Sequence, residues 1–265
     1  LCLNRTKLNT LIKHQFNGLN NLEELYLIDN QISKIEKEAF LQLGKLKKLY
    51  LNRNKINTLE IDQFNGLINL DKLNLSYNQI STIQPGSLDP LLKLRKLDLN
   101  TNHLKSVEPN QISKIRPFSF LNMITLRKLN LNENILKSLK DEDEFFGLEN
   151  LDELHLMYNQ IGKIKKDLLK KCVPNLKKLY MGSNKLSSIE PDCFSYMNDL
   201  EEIDLNSNRI EKIESNSMRN LPKLKKLLLN YNKLEYLKVD HFNLLINLEE
   251  LLVSNNQIER IEPQT

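Results

Sequence analysis

Four histidines, three cysteines and one acidic run are the residues whose types could do chemistry in this chain. The histidines are His14, His103, His155 and His241, and none is spaced as a metal-binding pair. No glycine-rich phosphate loop and no nucleophile elbow is present. Cys2, Cys172 and Cys193 are odd in number and too few for a disulfide framework. Cys172 falls on a core-facing position and Cys193 directly precedes Phe194, so plain thiols and a mutual bond both fit the spacing. The run Asp141 to Glu144 is acidic but lacks the alternating ligands and tight glycine turn of a calcium loop. It reads as a solvated loop. The sequence therefore predicts no catalytic residue, no metal site and no cofactor. Two sequons, Asn4-Arg-Thr6 and Asn74-Leu-Ser76, are glycosylation candidates if the chain is secreted. A chain this rich in Asn also carries sequons by chance.

The elements that hold these residues have to come from the rest of the pattern. The chain has 265 residues, 27% of them charged, with no Trp and only 7 Gly. That length suggests one or two globular domains. Its apolar runs are a few residues long, too short to span a membrane, and we expect no membrane contact by this segment. A net charge of +4 is mild and does not by itself imply a polyanionic partner. The chain opens on Leu1 already inside a pattern, so we expect a piece of a longer protein.

That pattern is a period. Asn falls at positions 30, 54, 78, 102, 134, 159, 184, 208, 232 and 256, at steps of 24 or 25 apart from one step of 32. The frame around each Asn is clearest at Leu46-KK-Leu49-Y-Leu51-NR-Asn54-K-Ile56-NT-Leu59, followed by Phe64 and Leu67. It recurs in eleven repeats, the first and last incomplete. Leu-x-Leu alternation predicts a short strand with one buried face. One repeat cannot bury its own apolar edge, but stacked repeats share a core. An Asn buried at every turn needs partners, and successive layers offer backbone groups to its amide.

The frame resembles the leucine-rich repeat family over essentially the whole chain, in its typical 24-residue subclass. The resemblance implies an α/β fold class: a right-handed, curved solenoid with a concave parallel β-sheet and short helical or irregular convex segments. Members of that subclass are mostly extracellular or cell-surface proteins, among them Toll-type receptors, Slit-type guidance proteins and small leucine-rich proteoglycans. The cysteine-rich caps of many such proteins are missing here. We therefore expect one solenoid over 1–265, uncapped at both ends, and the interior of a larger receptor ectodomain or glycoprotein.

Once framed, the sequence becomes a surface map. The residue between the two Leu of each strand forms a central column: Cys2, Tyr26, Tyr50, Asn74, Asp98, Asn130, His155, Tyr180, Asp204, Leu228 and Leu252. Phe is placed mainly on the buried convex side, at 16, 40, 64, 120, one of 145 and 146, 194 and 242. Six Tyr lie on the concave map instead: Tyr26, Tyr50, Tyr77, Tyr158, Tyr180 and Tyr231. Tyr offers a large contact area and a hydroxyl at ease in water, which suits an interface. Two patches follow as partner-binding candidates. One is His155, Met157, Tyr158 and Tyr180; the other is Tyr26, Ile28, Tyr50 and Tyr77. Leu228 and Leu252 form a smaller third patch.

Charge has its own column, the two residues after the first Leu of each rung. Its sign mostly alternates from rung to rung, which favours correct stacking. The alternation fails at Lys72, Arg95, Lys96, Arg127 and Lys128, which follow Lys47 and Lys48. That stripe suits an anionic partner such as an acidic protein patch or a sulfated glycan. Nucleic acid is not expected, because the overall charge is modest and Asp98 lies within the stripe.

The resulting expectation is a non-enzymatic module that binds a protein ligand through its concave sheet, in an extracellular or cell-surface setting. An intracellular scaffold and a glycan-binding matrix protein are the alternatives. The one irregularity is the 32-residue repeat 94–125. There the octet beginning at Asn102 is followed by a second, similar octet at Asn110. Only one can occupy a layer, so a bulge is expected within 103–117.

Overall fold

The computed structural model describes residues 1–102, 115–139, 142–238, 241–242 and 244–262. They fall into two compact units, Leu1–Asn134 with Asp143–Leu148, and Ile135–Glu142 with Glu149–Thr265. Each is a solenoid of three-residue strands in parallel register. The strands of the first unit are Glu24–Tyr26, Lys48–Tyr50, Lys72–Asn74, Lys96–Asp98 and Lys128–Asn130. Cys2 adds a single parallel bridge to Tyr26, the incomplete first rung. The strands of the second unit are Glu153–His155, Lys178–Tyr180, Glu202–Asp204, Lys226–Leu228 and Glu250–Leu252.

The Leu-x-Leu alternation explains the strands. Their central residues Leu25, Leu49, Leu73, Leu154, Leu179 and Ile203 are fully buried, and the outer residues face outward. At several repeats the second apolar position after the Asn belongs to a short strand of its own. Thr10–Leu11 pairs with Lys34–Ile35, and Thr58–Leu59 with Thr82–Ile83. In the second unit Ser188–Ile189 pairs with Lys212–Ile213, and Tyr236–Lys238 with Arg260–Glu262. The sequence frame predicts only a return of the chain there. Equivalent extended segments one layer apart present N–H and C=O groups to each other, and pairing satisfies them.

The return segments are turns with a buried ring or aliphatic side chain. Phe16, Phe40, Phe64, Phe120, Phe145 and Phe194 are buried, and Phe242 is half-buried. Phe16 stacks on Phe40 at 5.9 Å and Phe40 on Phe64 at 6.4 Å. Helical structure among the described residues is confined to short turns, such as the 3-10 turn Glu142–Glu144, and the α-helix Leu168–Cys172. The latter buries Leu168, Leu169 and Cys172 on one side. Cys172 and Cys193 are buried and Cys2 is exposed, and none of the three is in a disulfide. Burial pushes the Cys193 thiol up to about 12, so it stays protonated.

The Asn of each repeat ties the layers together. Asn78 donates to Leu51 O at 2.9 Å in the preceding rung and to Leu75 O at 3.0 Å in its own, and accepts from Ile56 N at 3.1 Å. Asn208 repeats the arrangement with Met181 O, Leu205 O and Leu186 N. The ladder changes beside the long repeat. Asn134 donates to Leu99 O at 3.2 Å, but its buried Oδ1 has no donor among the described residues. The bulge expected within 103–117 falls largely on 103–114, outside the described residues.

Two pairs of substitutions probe this framework. Replacing Asn208 by Ala orphans buried backbone groups and should cost about 2–4 kcal/mol in chemical denaturation. The partly exposed Asn256, with the same bonds, should cost visibly less when replaced. Equal losses would show that burial of the ladder is not what matters. Gly66 has φ +94°, and a Cβ there would sit 2.5 Å from Leu41 Cα. Gly66→Ala should therefore lower the thermal midpoint by more than exposed Gly18→Ala, whose added Cβ meets nothing within 4 Å.

Candidate functional site

The strand face of the second unit carries a cluster of rings and carboxylates. Register places His155 opposite Tyr180, Tyr180 opposite Asp204, and Leu228 opposite Leu252. The His155 and Tyr180 rings stack at 4.6 Å. His155 Nε2 lies 3.3 Å from Glu153 Oε2, and the Tyr180 hydroxyl donates to Glu202 Oε2 at 3.1 Å. Burial and the nearby Glu202 push the Tyr180 phenol well up, so it remains a donor. Tyr158, three residues after His155 in the same repeat, has 57% of its surface exposed. Met157 lies over Gly182, whose missing side chain leaves room for it.

Tyr158 has φ +55°, a left-handed conformation unfavourable for a bulky residue. The same holds for the residue before every ladder Asn, including Asp29, Arg53, Tyr77, Ser183, Ser207, Tyr231 and Asn255. The conformation belongs to the repeat; its occupant does not. An Asn or Gly would sit there with less strain. Nothing in the fold asks for Tyr at 77, 158 or 231, and all three are exposed.

The first unit brings Tyr26 and Tyr50 together at 4.7 Å, stacked, with Lys72 Nζ 5.1 Å from the Tyr50 ring. Tyr26 also donates to Glu24, and that bond raises its phenol pKa. Ile28 is half-buried, its N–H donating to Asn4 Oδ1. Tyr77 lies under the Arg53 guanidinium at 4.6 Å. The third patch is reduced, because Leu228 is only 9% exposed beside the more open Leu252.

The basic stripe is real in register: Lys48, Lys72, Lys96 and Lys128 face each other on four adjacent strands. Elsewhere the alternating column makes ion pairs between rungs, as Lys47–Glu23 at 2.8 Å, Lys177–Asp152 at 2.9 Å and Lys226–Glu250 at 2.9 Å. Lys48 meets Glu24 at 2.7 Å, and Arg95 pairs with Asp71. Both sequon asparagines use their side-chain oxygens within the fold. Asn4 accepts from Ile28 N, and Asn74 accepts from the N–H and hydroxyl of Ser76.

Two features were not read from the sequence. One is a groove of about 660 Å³ at the edge of the first unit's sheet, lined by Lys45, Lys93 and Ile124 as well as by Arg95 and Arg127. The signal was present in the column one residue before the first Leu of each rung, where Asn21, Lys45, Asn69 and Lys93 alternate. The other is Tyr196, with Lys170 and Arg219 over its ring at 4.5 and 5.9 Å. Among the described residues no three His, Cys, Asp or Glu side chains group as metal ligands, and no helix is long and apolar enough to cross a membrane.

A family model described as leucine rich repeat matches residues 1–56, 44–104, 106–161 and 174–234, and a second, for two-copy leucine rich repeats, matches 149–192. No curated protein matches the sequence. Among solved structures, a chain of the Toll–Spatzle complex of Drosophila aligns with a TM-score of 0.81 at 18% identity, over 96% of this chain and 32% of that one. A chain of the TLR13–ssRNA13 complex aligns at 0.77 and 22% identity, over 98% and 42%. A chain of the latrophilin 3, Unc5D and FLRT2 octameric complex aligns at 0.63 and 26% identity, over 94% and 65%. This chain thus spans about a third to two-fifths of the first two matched chains.

Asp204 offers a test of the electrostatics of the strand face. It is buried, and burial raises its carboxyl pKa, with the backbone N–H of Asn206 acting in the opposite direction. A raised folded pKa means that ionisation opposes folding. The cost is absent below the unfolded value of about 3.9 and accrues as pH rises through the folded one. Asn74 and Asn130 fill the same position with the same bond to the residue two ahead. Asp204→Asn should therefore raise the thermal midpoint at pH 7 and leave it unchanged near pH 3. A fall at pH 7 would mean that the carboxylate has a stabilising partner.

Proposed function

This chain belongs to the leucine-rich repeat family, and from that premise we propose that it is a non-enzymatic recognition module binding a protein ligand through the exposed face of its strands. The observation that carries the reading is the second unit's cluster. The stacked His155–Tyr180 pair stands on adjacent strands, with Tyr158 exposed on strained backbone in the same repeat as His155. A Tyr maintained at a left-handed position that Asn or Gly would fill at lower cost is there for its surface. The rings sit on hydrogen-bonded strands and lose little freedom on binding, so a few anchors supply most of the affinity. Tyr26 and Tyr50, likewise stacked, form a second anchor pair in the first unit.

The setting we propose is extracellular or cell-surface. It is supported by likeness to a chain of the Toll–Spatzle complex and to a plant peptide hormone receptor, RGFR1, solved with RGF2. Glycosylation at Asn4 or Asn74 would accompany that setting.

The experiment is a screen of the immobilised chain against purified cell-surface and secreted proteins, followed by titration of each partner. Tyr158→Ala with Tyr180→Ala should weaken Kd more than tenfold, about 1.4 kcal/mol or more. Tyr236→Ala, on the separate strand pair Tyr236–Lys238 and Arg260–Glu262, should leave it unchanged. A partner unaffected by Tyr158→Ala, Tyr180→Ala, Tyr26→Ala and Tyr50→Ala would bind elsewhere and overturn the proposal.

A further inference from the structure

We propose that the groove at the sheet edge of the first unit binds a sulfated polysaccharide, independently of the aromatic strand face. The groove is about 660 Å³ and is lined by Lys45, Lys47, Lys93, Arg95 and Arg127 against the carboxylates of Glu23 and Asp71. Five cations face two anions. The two anions are already engaged, Glu23 by Lys47 at 2.8 Å and Asp71 by Arg95.

Lys45 and Lys93 are the distinctive members. Lys45 Nζ donates to Asn21 Oδ1 and Lys93 Nζ to Asn69 Oδ1, each at 2.7 Å. An amide oxygen orients an ammonium and satisfies one of its hydrogen bonds but does not neutralise its charge. These lysines are thus positioned on the groove wall with their charge intact. In the second unit the corresponding column contains Lys223, which meets a carboxylate instead, Asp199 at 2.5 Å. In that column the lysines on an amide oxygen, Lys45 and Lys93, are the ones that line this groove.

The shape selects the class of anion. Glu23, Lys47, Asp71, Arg95 and Arg127 lie on successive rungs joined by backbone hydrogen bonds of 2.8 to 3.0 Å. At about 4.8 Å per rung the cations among them, from Lys47 to Arg127, extend roughly 14 Å in a line. A rigid row of that length fits a linear polymer carrying repeated charges better than a compact anion. Ile124, exposed, and the lysine stems supply an apolar surface for the faces of sugar rings. No lining residue is aromatic, so nothing in the groove would stack a base, as recognition of single-stranded nucleic acid requires. Lys48, Lys72, Lys96 and Lys128 on the adjoining strands add a second basic row.

The probe is heparin, with chemically desulfated heparin, a single-stranded RNA homopolymer and a poly-glutamate peptide as comparisons. Lys45→Glu with Lys93→Glu changes the groove. Lys55→Glu with Lys185→Glu is the matched control, because those lysines also donate to amide oxygens, of Gln31 and Gln160, away from it. Both pairs alter net charge equally and all four lysines are exposed. Circular dichroism on each variant establishes folding, and Lys→Gln versions replace any that melts early. Heparin should bind the wild-type chain at least tenfold more tightly than the other three polymers. The groove variant should lose about tenfold in affinity, and its salt dependence should fall by about two charges. The control should keep its affinity within twofold. Equal loss in both variants, or equal binding of desulfated heparin, RNA or poly-glutamate, overturns the proposal.

Discussion

A buried side-chain amide has two donors and an oxygen acceptor, and in this fold they can be satisfied only by backbone groups of two successive layers. Asn54 donates to Leu27 O of the rung before and to Leu51 O of its own, and its Oδ1 accepts from Ile32 N–H. The backbone groups are in place only when the layers are in register, so the amide makes each layer's geometry depend on its neighbour. That dependence keeps the step at 24 or 25 residues over most of the chain. It also keeps outward residues in straight columns, and a surface made of columns can be composed one residue type at a time. The ladder is thus a condition for stability and for the columns that the proposed recognition would use, although the ladder Asn side chains themselves are taken up by backbone groups.

The turn that delivers the Asn has a second consequence. The preceding residue adopts φ between about +50° and +60° whatever its identity, from Asp29 to Asn255. The rung needs the conformation for its backbone bonds, as when Tyr77 N donates to Asn100 O at 3.0 Å and Tyr158 N to Gly182 O at 3.0 Å. Residue choice at this position is therefore set apart from the fold. Glycine is absent from it, though glycine would relieve the strain, and charged or aromatic residues occupy most of it. Part of the molecule's stability is spent on what this column shows to solvent.

The period made the strands, the buried Phe row, the Asn ladder and the central column legible, because each depends on residue type at fixed spacing. His155 opposite Tyr180 and Tyr26 opposite Tyr50 follow from register alone. What escaped depends on quantities that spacing does not encode. The left-handed residue carries no glycine to mark it. The short strands such as Thr58–Leu59 arise from backbone pairing, which two residues cannot signal as alternation. Leu228 shares its column with Tyr180 yet is nearly closed off. Lys45 and Lys93 looked like ordinary surface lysines, since only their partners, amide oxygens in place of carboxylates, distinguish them.

Charge on the sheet then separates two physical regimes. Where the sign alternates, each rung supplies the counter-ion for the next, and exposed, solvent-screened pairs such as Lys226–Glu250 add little individually to stacking. Where it does not, four lysines from Lys48 to Lys128 lie in consecutive register, and each inner one has a cation on either side. Their repulsion is reduced by water and by what lies beside them, such as Glu24 next to Lys48 and the Tyr50 ring under Lys72. Residual repulsion of this kind weakens with salt and is relieved most by a bound polyanion. A polyanion bound as proposed would couple binding to folding, so that occupancy of the basic edge and stability of the strands beneath it would rise together.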